Sequence, residues 1–289
     1  MVYPTGLLRL IFLDYFKVDG RLVANDPQQI NPVFIRTKTK YLRAHLGVGI
    51  PGEALLLRLT SNGLILQRSV DDLRDRFTKH HYVVLENLFE PTLLSEIQRH
   101  VGRARWTSST FEGLDHDHIF AGTEFTLDEP VTCKLLSFLL NNPEFLKIIR
   151  TITGYPEISE FSGRVYRMEP GPQHHLSWHN DIDDKEKRKV GFSMNLSTNI
   201  FRGGTFELRD RVTLAPLAQV NNTGFGDALL FRISSALQHR VTAVLDNVPK
   251  TACAGWFRAT GKNFFAELGT QMRADNDASR AKIQARVGT

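Results

Sequence analysis

The sequence predicts an α+β protein whose chain ends in a β-sandwich or barrel. Apolar residues recur at helical spacing between about 91 and 153. After residue 157 the pattern switches to short segments rich in β-branched and aromatic residues. Turn-forming clusters separate those segments at regular intervals. Helices first and short strands afterwards is the order that gives this class. A chain of 289 residues suits one large domain, or one domain with an added segment. Hydrophobic content of 42% with 23% charged residues excludes disorder and collagen-like or coiled-coil repeats.

The first 77 residues are mixed in character. Gly47, Gly49, Pro51 and Gly52 mark a break. Residues 53–59 and 64–67 read as two strands joined by Ser61-Asn62-Gly63. Residues 71–78 suit a short helix, and 81–85 a strand. Pro91 opens a helix carrying Leu93, Leu94, Ile97 and Val101 on one face. A second helix spans 131–140. Asn142-Pro143 starts a third, with Phe145, Leu146, Ile149 and Ile152 inward and a stop at Gly154 and Pro156. Strands are expected at 158–169, 190–197, 204–209, 212–220, 227–233, 239–245 and 251–258. Pro170-Gly171-Pro172, Gly203-Gly204, Asn221 to Gly224, Gly226-Asp227 and Asn247 to Pro249 punctuate them.

The charge balance, 36 Lys+Arg against 31 Asp+Glu, gives a net charge of +5 and a pI near 9.2. That balance is spread thinly. The run 183–189 is mixed in sign, and Arg36, Lys38, Lys40 and Arg43 form the other cluster, so both read as solvated surface. Cys133 and Cys253 are too few for a disulfide framework or a four-cysteine zinc site, which suits a reducing compartment. No apolar run approaches the roughly 18 residues of a membrane span. The stretch 7–16 contains Arg9 and Asp14 and lacks a leader's cleavage site. The expectation is a cytoplasmic protein, with peripheral membrane contact left open.

Ten histidines offer many metal sites, and His179-Asn180-Asp181 stands out among them. In an extended segment, residues two apart face the same way, so this imidazole and carboxylate can converge on one ion. His239 opens a later strand and can supply a third ligand. Two histidines and one carboxylate occupy one face of an octahedral ion and leave three positions open, the facial triad of non-haem iron(II) oxygenases.

The surroundings sharpen this reading. Trp178 to Asp181, Asn195-Leu196-Ser197, Gly203 to Phe206, Gly226 to Phe231, His239 to Thr242 and Gly255-Trp256-Phe257 occur in one order over about 158–258. In these segments the chain resembles the iron(II)/2-oxoglutarate dioxygenase superfamily, nearest in pattern to its prolyl 4-hydroxylase and phytanoyl-hydroxylase-like branches. The resemblance implies a double-stranded β-helix (jelly-roll, cupin-like) core with preceding helices over 78–265. Residues 1–77 are then an extension of unassigned role, and 266–289 a helical tail. It also implies Fe(II), 2-oxoglutarate and O₂, with ascorbate as an admissible reductant. The reaction would hydroxylate an unactivated C–H bond and release succinate and CO₂.

The resemblance further calls for a cation on the far carboxylate of 2-oxoglutarate. Lys250, eleven residues after His239 and six before Trp256, takes that place in register with Gly255-Trp256, and Arg258 is the alternative. A lysine acts there as a point charge, an arginine as a fork. Asn195 shares a face with Ser193, and both it and Tyr166 fall where cosubstrate contacts are expected. Arg240 should point away from the metal. Phe201, Phe206, Phe231 and Trp256 read as core.

Rival readings are weaker. Asp115-His116-Asp117-His118 lacks a third partner and reads as a polar loop. His174 and His175 precede His179 at helical zinc spacing, but Pro170-Gly171-Pro172 argues for a loop. The carboxylate at Asp181 favours hydroxylation over halogenation, where related enzymes have Gly or Ala. Nucleic-acid demethylation would need two arginines six apart where Lys250 and Trp256 stand. The substrate expected is a small molecule, with an anionic one suiting the basic balance. The alternatives are a peptidyl-prolyl hydroxylase and a β-helix that binds a ligand without turnover.

Overall fold

Side chains alternate along the strands after residue 157, and their sorting onto two faces builds the molecule. The computed structural model describes residues 55–60, 63–115, 118–128, 130–221, 224–245 and 247–270, with the pairs 17–18 and 21–22. β1 (Lys17–Val18) and β2 (Arg21–Leu22) form a two-stranded ladder. The early hairpin is β3 (Leu57–Thr60) paired with β4 (Gly63–Leu66), as its turn residues predict. Leu56, Leu57 and Leu64 are buried in the same core as the helices that follow.

Those helices are α1 (Asp71–His80), α2 (Pro91–Val101), α3 (Pro130–Leu140) and α4 (Pro143–Thr153). Asp71 and Asp72 lie at the positive end of α1, and Lys79 and His80 at its negative end. Pro91 occupies the first turn of α2. In α4 the Asn142 side chain accepts from the Glu144 N–H at 3.0 Å, and Gly154 closes the helix at φ 73°. Residues 264–270 are also helical; the expected tail beyond 270 lies outside the described residues. No helix among the described residues is long and apolar enough to cross a membrane.

The remaining strands are β5 (Tyr82–Leu85), β6 (Arg105–Asp115), β7 (His118–Asp128), β8 (Glu160–Met168), β9 (Leu176–His179), β10 (Arg188–Asn195), β11 (Phe206–Asp210), β12 (Pro216–Val220), β13 (Ala228–Arg232), β14 (Leu237–Val241) and β15 (Lys250–Arg258). They form an antiparallel seven-stranded sheet, β5-β13-β10-β15-β8-β7-β6, and an antiparallel four-stranded sheet, β12-β11-β14-β9. From β8 onward the chain passes repeatedly between the two sheets, which is consistent with a jelly-roll-like core. On β15, Cys253 and Phe257 enter the helix-side core, while Lys250, Ala252, Ala254 and Trp256 face the space between the sheets.

Among the strands after residue 80, three were not read as strands in the sequence: β6, β7 and β9, the last expected only as an extended segment. β6 and β7 pair over their whole length, from Arg105↔Asp128 to Asp115↔His118. Their runs carry no clear apolar alternation; β6 is the edge strand, and β7 joins it to β8 through Phe125 and Thr126. The polar stretch around Asp115 and His118 is therefore the tip of a hairpin; residues 116–117 lie outside the described residues.

Candidate active site

Between the sheets lies a cavity of about 420 Å³. His179 ends β9 and His239 sits in β14, and the two are direct cross-strand partners. Asp181 follows β9 by two residues and turns its carboxylate onto both rings. His179 Nε2 lies 3.5 Å from Asp181 Oδ1, and His239 Nε2 3.3 Å from Oδ2. The rings are 4.3 Å apart between centroids. One ligand atom from each residue lies within 4.8 Å of the others, the one such His/Cys/Asp/Glu group among the described residues.

The donor set suits a metal ion. His179 Nδ1 stands 2.6 Å from the Ser177 carbonyl, which can only accept, so Nδ1 carries the proton and Nε2 offers its lone pair. His239 packs against a pair of touching rings, Phe206, stacked at 25°, and Phe231, with centroids 5.6 and 4.5 Å away. Burial would push the Asp181 carboxyl up, but His239 and then His179 hold it well below the usual carboxylate range. Two imidazoles and an ionised carboxylate converging from one side fit a divalent first-row ion with open positions opposite. His179, Asp181 and His239 thus form a 2-His-1-carboxylate facial triad consistent with an Fe(II)/2-oxoglutarate-dependent oxygenase active site.

Lys250 lines the cavity away from the triad and donates to the Gly204 carbonyl at 2.8 Å. Among the described residues it meets no carboxylate, and burial pulls its pKa down to about 8. Tyr166 lines the same wall, its phenol pushed up by burial and by the nearby Glu124 carboxylate. Asn195 also faces the cavity, with its side-chain oxygen accepting from the Ser197 N–H at 2.9 Å. Ser193 shares that face, as alternation predicts.

Arg258, the alternative cation, is a correction. It is absent from the cavity wall and is held by Glu160 at 3.0 Å and by Glu186. It shares Lys250's side of β15, but register sets it opposite Glu160 at the far end. Two carboxylates consume its charge there.

Trp256 is a second correction. Rather than plain core, its indole N–H donates to Asp181 Oδ2 at 2.7 Å, while Arg188 lies 3.8 Å over its ring. A tryptophan on a strand gives no sign of a partner 75 residues away, so the sequence carried no signal for this bond. Arg240 points away from the triad, as expected, bonding Glu207 at 2.6 Å and lying over Trp178. His174 and His175 occupy the loop before β9 and do not line the cavity. Missed altogether were Glu124 and Arg164, an ion pair on the cavity wall. Glu124 belongs to the unread strand β7.

A facial triad in the mouth of a two-sheet core defines a metal-dependent oxygenase class. Residues 163–258 match the family described as the 2OG-Fe(II) oxygenase superfamily. This segment, which holds the whole triad, is similar to that superfamily; no branch within it is distinguished. A search of curated proteins found no match. Among solved structures, a 2OG-Fe(II) oxygenase family oxidoreductase from Burkholderia pseudomallei is 16% identical with a TM-score of 0.49, covering 71% of this chain and 96% of that one. A Pseudomonas putida prolyl-4-hydroxylase is 15% identical with a TM-score of 0.44, covering 67% and 100%. A Trichoplax adhaerens prolyl hydroxylase, in complex with a hypoxia inducible factor peptide fragment, is 14% identical with a TM-score of 0.46, covering 65% and 87%.

Proposed function

We propose that this chain is an Fe(II)/2-oxoglutarate-dependent hydroxylase of a small-molecule substrate, built on a double-stranded β-helix. The observation that carries the reading is a facial triad and a carboxylate-free lysine facing one cavity. His179, Asp181 and His239 would hold the iron. When bound, iron with 2-oxoglutarate and O₂ supplies the oxidising equivalent for C–H hydroxylation, with succinate and CO₂ as coproducts; ascorbate would serve as a reductant.

The chain's own residues do the rest. Ser177 and Trp256 orient the His179 ring and the Asp181 carboxylate, so the donors are aligned before an ion arrives. Lys250 holds the far carboxylate of 2-oxoglutarate as a point charge within an apolar wall, where a charge is felt more strongly than in water. Tyr166 and Asn195 flank the cosubstrate. Phe201, Phe206 and Leu229 exclude water from the reacting carbon.

The test is anaerobic addition of Fe(II) and then 2-oxoglutarate to metal-free protein, following the visible charge-transfer band of a chelated keto acid. The band should appear in the wild type and vanish in His179→Ala. Folded wild-type protein without a band would refute the oxygenase reading and favour a ligand-binding β-helix.

A further inference from the structure

Arg164 is a second cation on the cavity wall, and its position is set by register. Along β8 and β15, Met168 pairs with Lys250, Tyr166 with Ala252, Arg164 with Ala254 and Ser162 with Trp256. Lys250 and Ala254 are four residues apart, about 13 Å along an extended strand. Trp256, the next inward residue of β15, is the one that bonds Asp181. Arg164 therefore stands at the triad end of the cavity and Lys250 at the opposite end. On the function proposed above, 2-oxoglutarate spans the metal and Lys250, and both of its carboxylates are accounted for. Glu124 meets the charge of Arg164 at Nε, and the terminal nitrogens of the guanidinium can take a further anion.

The local geometry leaves Arg164 prepared for one. Its Nε donates to Glu124, whose side chain is only 5% exposed. Among the described residues its two terminal nitrogens meet no acceptor, and the guanidinium lines the cavity 5.7 Å from the Tyr166 ring centre. With Nε locked by a buried carboxylate, the guanidinium cannot swing freely and the end-on fork keeps one orientation. Two parallel N–H groups at that spacing match the two oxygens of a carboxylate.

We propose that Arg164 anchors a carboxylate group of the primary substrate at the triad end of the cavity, with Glu124 as the positioning residue that holds the fork. This rests on the oxygenase reading, and one experiment separates their failures. Wild type, Arg164→Lys, Glu124→Gln and Lys250→Met are titrated anaerobically with Fe(II) and 2-oxoglutarate, following the charge-transfer band. They are then assayed aerobically for succinate released by short-chain carboxylic, hydroxy and amino acids, each beside its methyl ester.

In the wild type, at least one acid should stimulate succinate release and its ester should not. Arg164→Lys keeps a positive charge opposite Glu124, so the fold is retained and the band reports it. It should bind 2-oxoglutarate within about twofold of wild type while the acid's KM rises about 10- to 100-fold. Glu124→Gln should raise the same KM more than it lowers kcat. Lys250→Met should show the reverse pattern, weakening 2-oxoglutarate first. The assignment is overturned if esters work as well as acids, if no acid stimulates release while the band is intact, or if Arg164→Lys weakens 2-oxoglutarate as much as Lys250→Met does. Lack of a wild-type band overturns the oxygenase reading, and this assignment with it.

Discussion

The indole of Trp256 donates to one oxygen of Asp181, and that bond orients the triad's only carboxylate. Trp256→Phe keeps the ring and removes the donor, so affinity for a divalent ion should fall about 10- to 100-fold, measured by competition against a metal indicator. Lys250 yields a pH signature. Burial lowers its pKa to about 8, so the free protein loses that charge as pH rises through 8. Affinity for 2-oxoglutarate should be flat below about pH 8 and then fall nearly tenfold per unit, until the higher pKa of the complex is passed. A series of charge-transfer titrations across that range measures it. Linkage has the opposite sign for folding. Between about 8 and the ordinary 10.5 the unfolded chain binds more protons, so stability from this group rises with pH. Lys250 was expected only through the family resemblance, whereas the triad was legible in the sequence because spacing and neighbouring turns flag it. The bond from Trp256 was not, since it joins residues that only the fold brings together.

Between residue and molecule, the strands impose their own conditions. His179 and His239 face each other because β9 pairs with β14 in one register. A one-residue slip would turn His179 to the outer face, where Arg240 and Trp178 lie. Gly163 and Gly255 are likewise partners between β8 and β15. A Cβ on Gly255 would stand 2.1 Å from the Ser162 carbonyl oxygen and 2.4 Å from the Gly163 Cα. Gly255→Ala should therefore destabilise the protein by about 1–3 kcal/mol, read as a lower urea midpoint, because backbone cannot yield as a side chain does. Alternation and turn residues made most strands after 157 readable to within a few positions. β6 and β7 escaped because a polar hairpin beside β8 shows no apolar period.

At the scale of the molecule, metal binding and folding are coupled. The triad draws on β9, β14 and the loop after β9, so an ion held there ties the four-stranded sheet to the loop behind it. A ligand at a hundred times its Kd adds about 2.7 kcal/mol of stability. Divalent metal should then raise Tm by about 5–10 °C in wild type and leave His179→Ala unmoved, by calorimetry under anaerobic conditions. The sequence by itself determined the α+β class, the order of the helices and of most strands after 157, and the three triad residues, because period, turn chemistry and spacing are properties of neighbouring residues. Only the tertiary structure decided that Arg258 is spent on Glu160 and Glu186, that Trp256 serves Asp181, and that Arg164 with Glu124 lines the triad end of the cavity. Each of those depends on strand register and sheet packing across 40 residues or more, or on a salt bridge whose partner lies on another element, and no local pattern encodes such distances.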